Sequence, residues 1–203
     1  TIMKKLVSLA LAAVLAVSAV GCGSSSDSSS STADSAQSTE AAADGATFKI
    51  GGIGPITGGA AIYGQAVMNA AQMAVDKINA DGGINGYQVE FRFEDDEHDA
   101  EKSVNAYNTL KDWGMQMLMG TVTSTPCTAV SAKTEEDNMF QLTPSGSAVE
   151  SIAPANAFRV CFSDPNQGTA SAQYIGENKL ANKVAVIYNS SDVYSSGIYQ
   201  TFA

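Results

Sequence analysis

Two short segments of this sequence gather hydroxyl groups, the first just where a helix is about to begin and the second at the end of the next strand. One is Gly120-Thr121-Val122-Thr123-Ser124-Thr125-Pro126; the other is Thr143-Pro144-Ser145-Gly146-Ser147. Each follows a short apolar run and so reads as a loop leaving a buried strand. Hydroxyls beside the unpaired N–H groups of a helix N-terminus form a neutral cup suited to an anion, a carboxylate in particular. Plain N-capping, the commonest use of Ser and Thr at such positions, would explain either loop alone. Two such loops after successive strands favour a ligand.

Other segments argue against competing chemistries. Gly54-Pro55-Ile56-Thr57-Gly58-Gly59-Ala60-Ala61-Ile62-Tyr63-Gly64 is rich in glycine, but Thr57 stands where a dinucleotide fingerprint needs its third glycine, and Pro55 enters the turn. No Gly-Lys-Ser/Thr follows, so no nucleotide cofactor is expected. Glu94-Asp95-Asp96-Glu97-His98-Asp99 offers carboxylates and an imidazole. Contiguous acids point in different directions, however, so the preferred reading is a solvated strand-to-helix loop capped by Asp99, with no metal. His98 is the sole histidine, and Ser147 lacks a Gly-x-Ser-x-Gly frame, so a serine hydrolase is disfavoured and no enzyme is expected. The three cysteines form no CxxC. Cys127 and Cys161 fall at a helix start and in a later strand; in an oxidising compartment a disulfide and two buried free thiols both remain open.

The elements that must carry these loops alternate. Strands are expected at Thr47–Ile53, Tyr87–Phe93, Met115–Met119, Met139–Leu142, Phe158–Phe162 and Val184–Tyr188. A helix is expected over Gln65–Ala80, where Ala66, Met68, Ala70, Met73, Ala74 and Ile78 form an apolar stripe. Asp99 should cap a second helix running through Asp112. Thr125 should cap a third, with Pro126 in its first position, ending about Asn138. Asn166–Lys179 and a segment from Ser195 onward complete the set. Strand and helix alternating with short connections imply an α/β fold with a doubly wound, mostly parallel sheet. Ligands bind such sheets beyond the carboxyl ends of the strands, where the hydroxyl loops lie.

Ahead of this part lies an address. Met3 reads as the start, Lys4-Lys5 as a basic region and Leu6 to Val20 as an apolar run suited to a signal peptide. Ala19-Val20-Gly21-Cys22 is similar to a bacterial lipobox, with Ala19 in place of the usual leucine, so residues 1–22 read as a lipoprotein signal ending at the lipidated Cys22. An ordinary signal peptide is the alternative. Residues 23–45, dominated by Ser, Ala, Thr and Asp, lack the apolar surface to offset ordering and read as a disordered tether of roughly 25 Å reach. The net charge is −10; without residues 1–21, which carry two lysines and no acid, 9 basic groups face 21 acidic ones. Such a surface repels phosphates and disfavours nucleic acid.

The ordered series GPITGGAAIYG, INADGGINGYQVEF, GTVTSTP, TPSGS, FRVCFSDPNQG and KVAVIYNSSDVYSSG resembles the branched-chain amino-acid binding proteins of ABC importers, over residues 47 to 203. That resemblance implies a leucine-binding-like, type I periplasmic binding protein fold, with two α/β lobes joined by three crossovers and closing on a ligand. Family members run well beyond 203 residues, so it implies an N-terminal fragment, with an incomplete first lobe at 46–162 and the truncated start of a second at 163–203. It also implies an amino acid of Leu/Ile/Val type as ligand, permease subunits as partners and an extracytoplasmic, lipid-anchored location. A sensor for amino acids or amides built on the same lobes is the alternative. By resemblance, Ser124 grips the ligand carboxylate and Ser147 binds its head through hydroxyl and amide. Ser145 offers a backbone carbonyl to the ammonium, Tyr63 stands at the cleft mouth and Tyr194 closes over it. Ser195 replaces a common family glycine, and the acid that pairs with the ammonium falls after Ala203.

The anchor makes the first prediction. Expressed in a bacterium, the protein should incorporate labelled fatty acid and partition into detergent through Cys22, and Cys22→Ser should abolish both. Identical partitioning of the two proteins would remove the anchor.

Overall fold

The computed structural model describes residues 45 and 47–203, all within the compact unit Glu40–Ala203. The expected signal segment, Cys22 and nearly all of the tether lie outside the described residues. Among those described, no helix is long and apolar enough to cross a membrane.

Five parallel strands form the sheet: β1 (Thr47–Gly54), β2 (Gln88–Asp95), β3 (Met117–Gly120), β4 (Gln141–Thr143) and β5 (Ala157–Arg159), in spatial order β2-β1-β3-β4-β5. Helix α1 (Ala61–Ala80) joins β1 to β2, α2 (Ala100–Trp113) joins β2 to β3, and α3 (Ser124–Glu136) joins β3 to β4; a 3₁₀ turn (Val149–Ile152) precedes β5. Helices α4 (Asp164–Glu177) and α5 (Val193–Phe202) pack on each other after the sheet. The strand order reverses at β1, which has β2 on one side and β3 on the other, so loops diverge there and leave a crevice above the carboxyl ends of β1 and β3.

The core lies between the sheet and α2–α3. Ile53, Tyr107, Leu110, Leu118 and Val130 are wholly buried together. The Tyr107 hydroxyl reaches the rim and donates to Asp137 at 2.9 Å, which satisfies the one polar atom of a buried ring. Asp99 caps α2 as expected, accepting from Lys102 N at 2.8 Å. Gly114 ends that helix with φ at 88°, a left-handed conformation that glycine adopts without a Cβ penalty. Lys49 then locks the helix end to β1, its ammonium 5.1 Å from the Trp113 ring centroid and donating to the Trp113 carbonyl at 3.1 Å.

Several boundaries differ from expectation. Helix α1 begins at Ala61 rather than Gln65, so Tyr63 rides on its first turn. Helix α3 begins at Ser124 with Thr123 as N-cap, which places Ser124 and Thr125 inside the first turn and Pro126 in the third position. The reason is the Cys127 N–H, which reaches the Thr123 carbonyl at 3.0 Å and closes a turn ahead of the proline. Of the strand expected at Phe158–Phe162, only the first part pairs, as β5. Val184–Tyr188 is not a strand: no strand among the described residues lies beside it, and Ile187 is fully exposed. Apolar alternation supplies side chains for a sheet but not the ladder partner that defines one.

Gly64 sits where α1 crosses the β1 loop. A Cβ there would lie 1.8 Å from the Pro55 carbonyl oxygen, a backbone atom that cannot swing aside. Gly64→Ala should therefore cost ~1–3 kcal/mol of stability in urea unfolding, despite the better helix propensity of alanine. A gain in stability would show that the crossing is looser than described.

Candidate functional site

The crevice above β1 and β3 is a cleft of about 460 Å³. All five residues singled out in the sequence line it: Ser124, Ser145, Ser147, Tyr63 and Tyr194. They reach it from four separate places: the α1 start, each of the two hydroxyl loops, and the α5 start.

The hydroxyl loops are stitched together, and the stitching assigns each hydroxyl a direction. Ser124 Oγ accepts hydrogen bonds from Ser147 N at 3.1 Å and Ala148 N at 3.2 Å. Both lone pairs are thus used by backbone donors, and its own O–H remains free to donate. Ser145 is the opposite case: its hydroxyl donates to the Val122 carbonyl, leaving its oxygen to accept. Beneath them Thr143 Oγ1 donates to Thr121 O at 2.6 Å and accepts from Gly146 N at 2.8 Å. Arg159 Nη1 binds the carbonyls of Ser147 and Ala148 at 2.8 and 3.1 Å. Ser124 and Ser147 are each only 3% exposed, so the loops are built from inside and present a narrow polar floor.

The walls are apolar. Ala60 and Val122 face the cleft from the loops after β1 and β3 and Phe162 from the segment that follows β5; Tyr63 and Tyr194, 64% and 41% exposed, stand at the mouth. Neutral hydroxyls at the floor with aromatic and aliphatic walls make a site for a small amphipathic molecule, polar at one end.

A profile of the family described as periplasmic binding protein matches residues 47–202. The chain belongs to the periplasmic binding protein family. It is 34% identical over 164 residues to a Leu/Ile/Val-binding protein homolog of Brucella melitensis, covering 80% of this chain and 44% of that protein. It is 34% identical over 159 residues to the Leu/Ile/Val-binding protein BraC3 of Rhizobium johnstonii, covering 77% and 43%. Among solved structures it is similar to the branched-chain amino-acid transporter substrate-binding protein LivJ of Streptococcus pneumoniae, with TM-score 0.73 and 29% identity over 77% of this chain and 45% of that one. It is also similar to the leucine-binding protein LivK of Thermotoga maritima, with TM-score 0.70 and 27% identity over 77% and 44%. Its α/β architecture is the type I periplasmic binding protein fold, and the chain spans less than half the length of these relatives.

The cleft also holds residues that spacing did not single out. His98 lines it, Nδ1 lying 2.9 Å from Thr123 Oγ1. Asp192 lines it too, as N-cap of α5: it accepts from Ser195 N at 2.9 Å and from the Thr125 hydroxyl at 3.2 Å, tying α5 to α3. Asp192 precedes an apolar-periodic run by one residue, so a capping pattern could have found it; nothing local marks His98 as a cleft residue. Cys127 and Cys161 carry free thiols, so the disulfide alternative is not realised. Cys127 is on the buried face of α3, where Gln141 Nε2 donates to its sulfur at 3.4 Å, while Cys161 lines the cleft. Burial pushes both thiols above their ordinary pKa, which disfavours the thiolate needed for exchange.

The acidic run is the expected strand-to-helix turn capped by Asp99, but only Glu97, His98 and Asp99 of it are exposed. Burial raises the Asp95 pKa, but bonds from the Thr57 hydroxyl and from the Ile56 and Glu97 N–H groups outweigh that and hold it below the ordinary value. Glu97 and His98 take left-handed conformations, φ 49° and 62°, which turns His98 into the cleft. Asp96, expected to face water, is wholly buried. One oxygen accepts from His98 N at 2.9 Å and the other has no partner.

Burial first, then the charges of Asp95 and Asp99, raise the Asp96 pKa to about 6, although the His98 N–H pulls it back. The unfolded chain keeps the ordinary value, 3.8. Between these values the folded state holds a proton that the unfolded state has released, so this group's contribution to stability declines as pH rises through that window, by at most ~3 kcal/mol. Asp96→Asn should therefore gain on the wild type by roughly 1–3 kcal/mol between about pH 4 and about pH 8 in urea unfolding. A constant difference between the two proteins would show that the carboxylate is hydrated.

Proposed function

We propose that this protein is an extracytoplasmic solute-binding component of an ABC importer, binding an aliphatic amino acid between two lobes and passing it to a membrane permease. In this reading residues 46–162 form an incomplete first lobe and 163–203 the truncated start of the second. The observation that carries this reading is the opposed polarity of the floor. Ser124 has only a proton to offer and suits a carboxylate, with the N–H groups of the α3 first turn beside it. Ser145 has only lone pairs left and its carbonyl beside them, which suits an ammonium. A zwitterionic head matches both without any lysine or arginine lining the cleft. The walls of Ala60, Val122 and Phe162 leave an apolar side chain out of water, at ~0.8 kcal/mol per buried methylene. The relatives support the same class: several are described as Leu/Ile/Val-binding proteins, and the Streptococcus pneumoniae structure as a complex with isoleucine. Tyr63 and Tyr194 then flank the entrance from the two lobes, and closure brings them over the ligand. No catalytic step or cofactor enters this function.

Losing one hydrogen bond to a charged group costs about 1.5–3 kcal/mol, or roughly 10- to 150-fold in affinity. In calorimetry on the full-length gene product with an aliphatic L-amino acid, Ser124→Ala should weaken binding by at least that factor, since it also strands the Ser147 and Ala148 N–H groups. Asp96→Asn, which lies behind the cleft, should leave affinity nearly unchanged. Undiminished binding by Ser124→Ala would place the head elsewhere.

A further inference from the structure

His98 lines the cleft from the side of β1 and β2, whereas the stitched hydroxyl loops line it from the side of β3 and β4. It belongs to the loop after β2, and β1 separates that strand from β3, a span of about 10 Å at the usual interstrand spacing. Its ring nevertheless reaches Thr123 in the loop after β3, Nδ1 lying 2.9 Å from Oγ1. The backbone is shaped for this reach. Glu97 and His98 take left-handed φ values of 49° and 62°, which few residues other than glycine adopt, and Asp95 Oδ1 holds the Glu97 N–H at 2.9 Å. Asp96 N donates to the Gly54 carbonyl at 3.3 Å and fastens the turn to β1.

Thr123 is freed for the same contact. As N-cap of α3 its hydroxyl would ordinarily accept from the second or third N–H of the helix. The third residue is Pro126, which has no N–H, and the Thr123 side chain makes no cap hydrogen bond. The hydroxyl turns to the imidazole instead. Among the described residues the ring makes that one hydrogen bond, through Nδ1, which leaves Nε2 for the cleft. When Nδ1 accepts the Thr123 proton, Nε2 carries a hydrogen and donates; when Nδ1 donates, Nε2 accepts. A rotation of the Thr123 hydroxyl thus lets the pair meet a donor or an acceptor with no change of charge.

We infer that His98 is a specificity-determining residue: with Thr123 positioning its ring, it hydrogen-bonds a neutral polar group on the ligand side chain, so that the cleft accepts hydroxyl- and carboxamide-bearing amino acids alongside aliphatic ones. This rests on the amino-acid reading above and deepens it by naming the side chains the site takes. With the head on Ser124 and Ser145, Thr123 is the next residue, ~3.8 Å along the backbone, and the side chain runs toward Ala60, Val122 and His98. The apolar wall covers most of that side chain, and the imidazole supplies its polar contact. A charged side chain finds no such match. Among the described residues no lysine or arginine lines the cleft, and both oxygens of Asp192 already accept, from Ser195 N and the Thr125 hydroxyl.

Valine and threonine share one shape, as do leucine and asparagine, so each pair isolates a polar group. An apolar pocket favours valine over threonine by about 100-fold, because the added hydroxyl is buried unpaired. The test is calorimetry with these four L-amino acids on the full-length gene product, for wild type, His98→Phe, His98→Gln and Thr123→Val. In the wild type at least one polar member should bind within about 10-fold of its apolar partner. His98→Phe should widen that gap by about 10-fold or more, and Thr123→Val should widen it in the same direction. His98→Gln, which keeps a donor and an acceptor, should widen it less than His98→Phe.

Wild-type gaps wider than about 10-fold in both pairs, or a gap that His98→Phe leaves unchanged, would overturn the inference, since a purely structural role weakens both members of a pair alike. Should His98→Phe fail to fold, Thr123→Val decides: it keeps the β-branched shape and removes no cap bond, and an unchanged gap overturns the inference. If the wild type binds none of the four, the amino-acid reading itself falls; if it binds valine or leucine with no dependence of the gap on His98, only the role of His98 does.

Discussion

The hydrogen bonds that Ser124 Oγ accepts from the backbone of Ser147 and Ala148 join the loop after β3 to the loop after β4 across the carboxyl edge of the sheet. Without them the two loops would be independent caps, each free to settle its own polar groups. With them, one side-chain oxygen satisfies two buried N–H groups and fixes where the second loop stands relative to the first turn of α3. Each neighbouring contact reinforces that placement: Thr143 beneath, Ser145 onto the Val122 carbonyl, Arg159 onto the two carbonyls. A site built this way is organised before the ligand arrives, so little of the binding free energy is needed to order it.

The same economy of charge runs through the rest of the cleft. The floor carries neutral hydroxyls, and the acids around it are drawn inward. Asp95 and Asp99 hold backbone N–H groups. Asp96 and Asp164 are buried with unpaired oxygens on either flank. A carboxylate that is buried and incompletely paired is a liability in stability, and Asp96 shows no offsetting contact with the cleft. Asp164 differs in that its backbone N–H donates to the Ser147 carbonyl, in the loop that floors the site. The chain is acidic as a whole, yet the surface it presents to a ligand is nearly free of formal charge.

Much of this was legible from residues alone, because local chemistry decided it. The alternation of apolar runs and turn residues marked the parallel α/β order, Asp99 announced a cap, and hydroxyls clustered after successive strands marked the two loops. Tyr63 and Tyr194 became cleft residues only through the resemblance, since an aromatic at a helix start is equally a packing residue. The remainder depended on partners distant in sequence. Val184–Tyr188 has the composition of a strand, but a strand exists only beside another. The α3 start moved ahead of Pro126 because a backbone bond to Thr123 outweighed the preference of proline for the first position.

By itself, then, the sequence determined the order of most elements and the identity of the hydroxyl groups that line the cleft, both properties of residue type and spacing. Tertiary structure alone decided which way each hydroxyl points, because that depends on whether its lone pairs or its proton meets a neighbouring loop. It also decided that Asp96 and Asp164 leave water while Asp95 and Asp99 find donors. Burial is a property of what packs on top, and adjacent acids in a single run show no difference until the helices close over them.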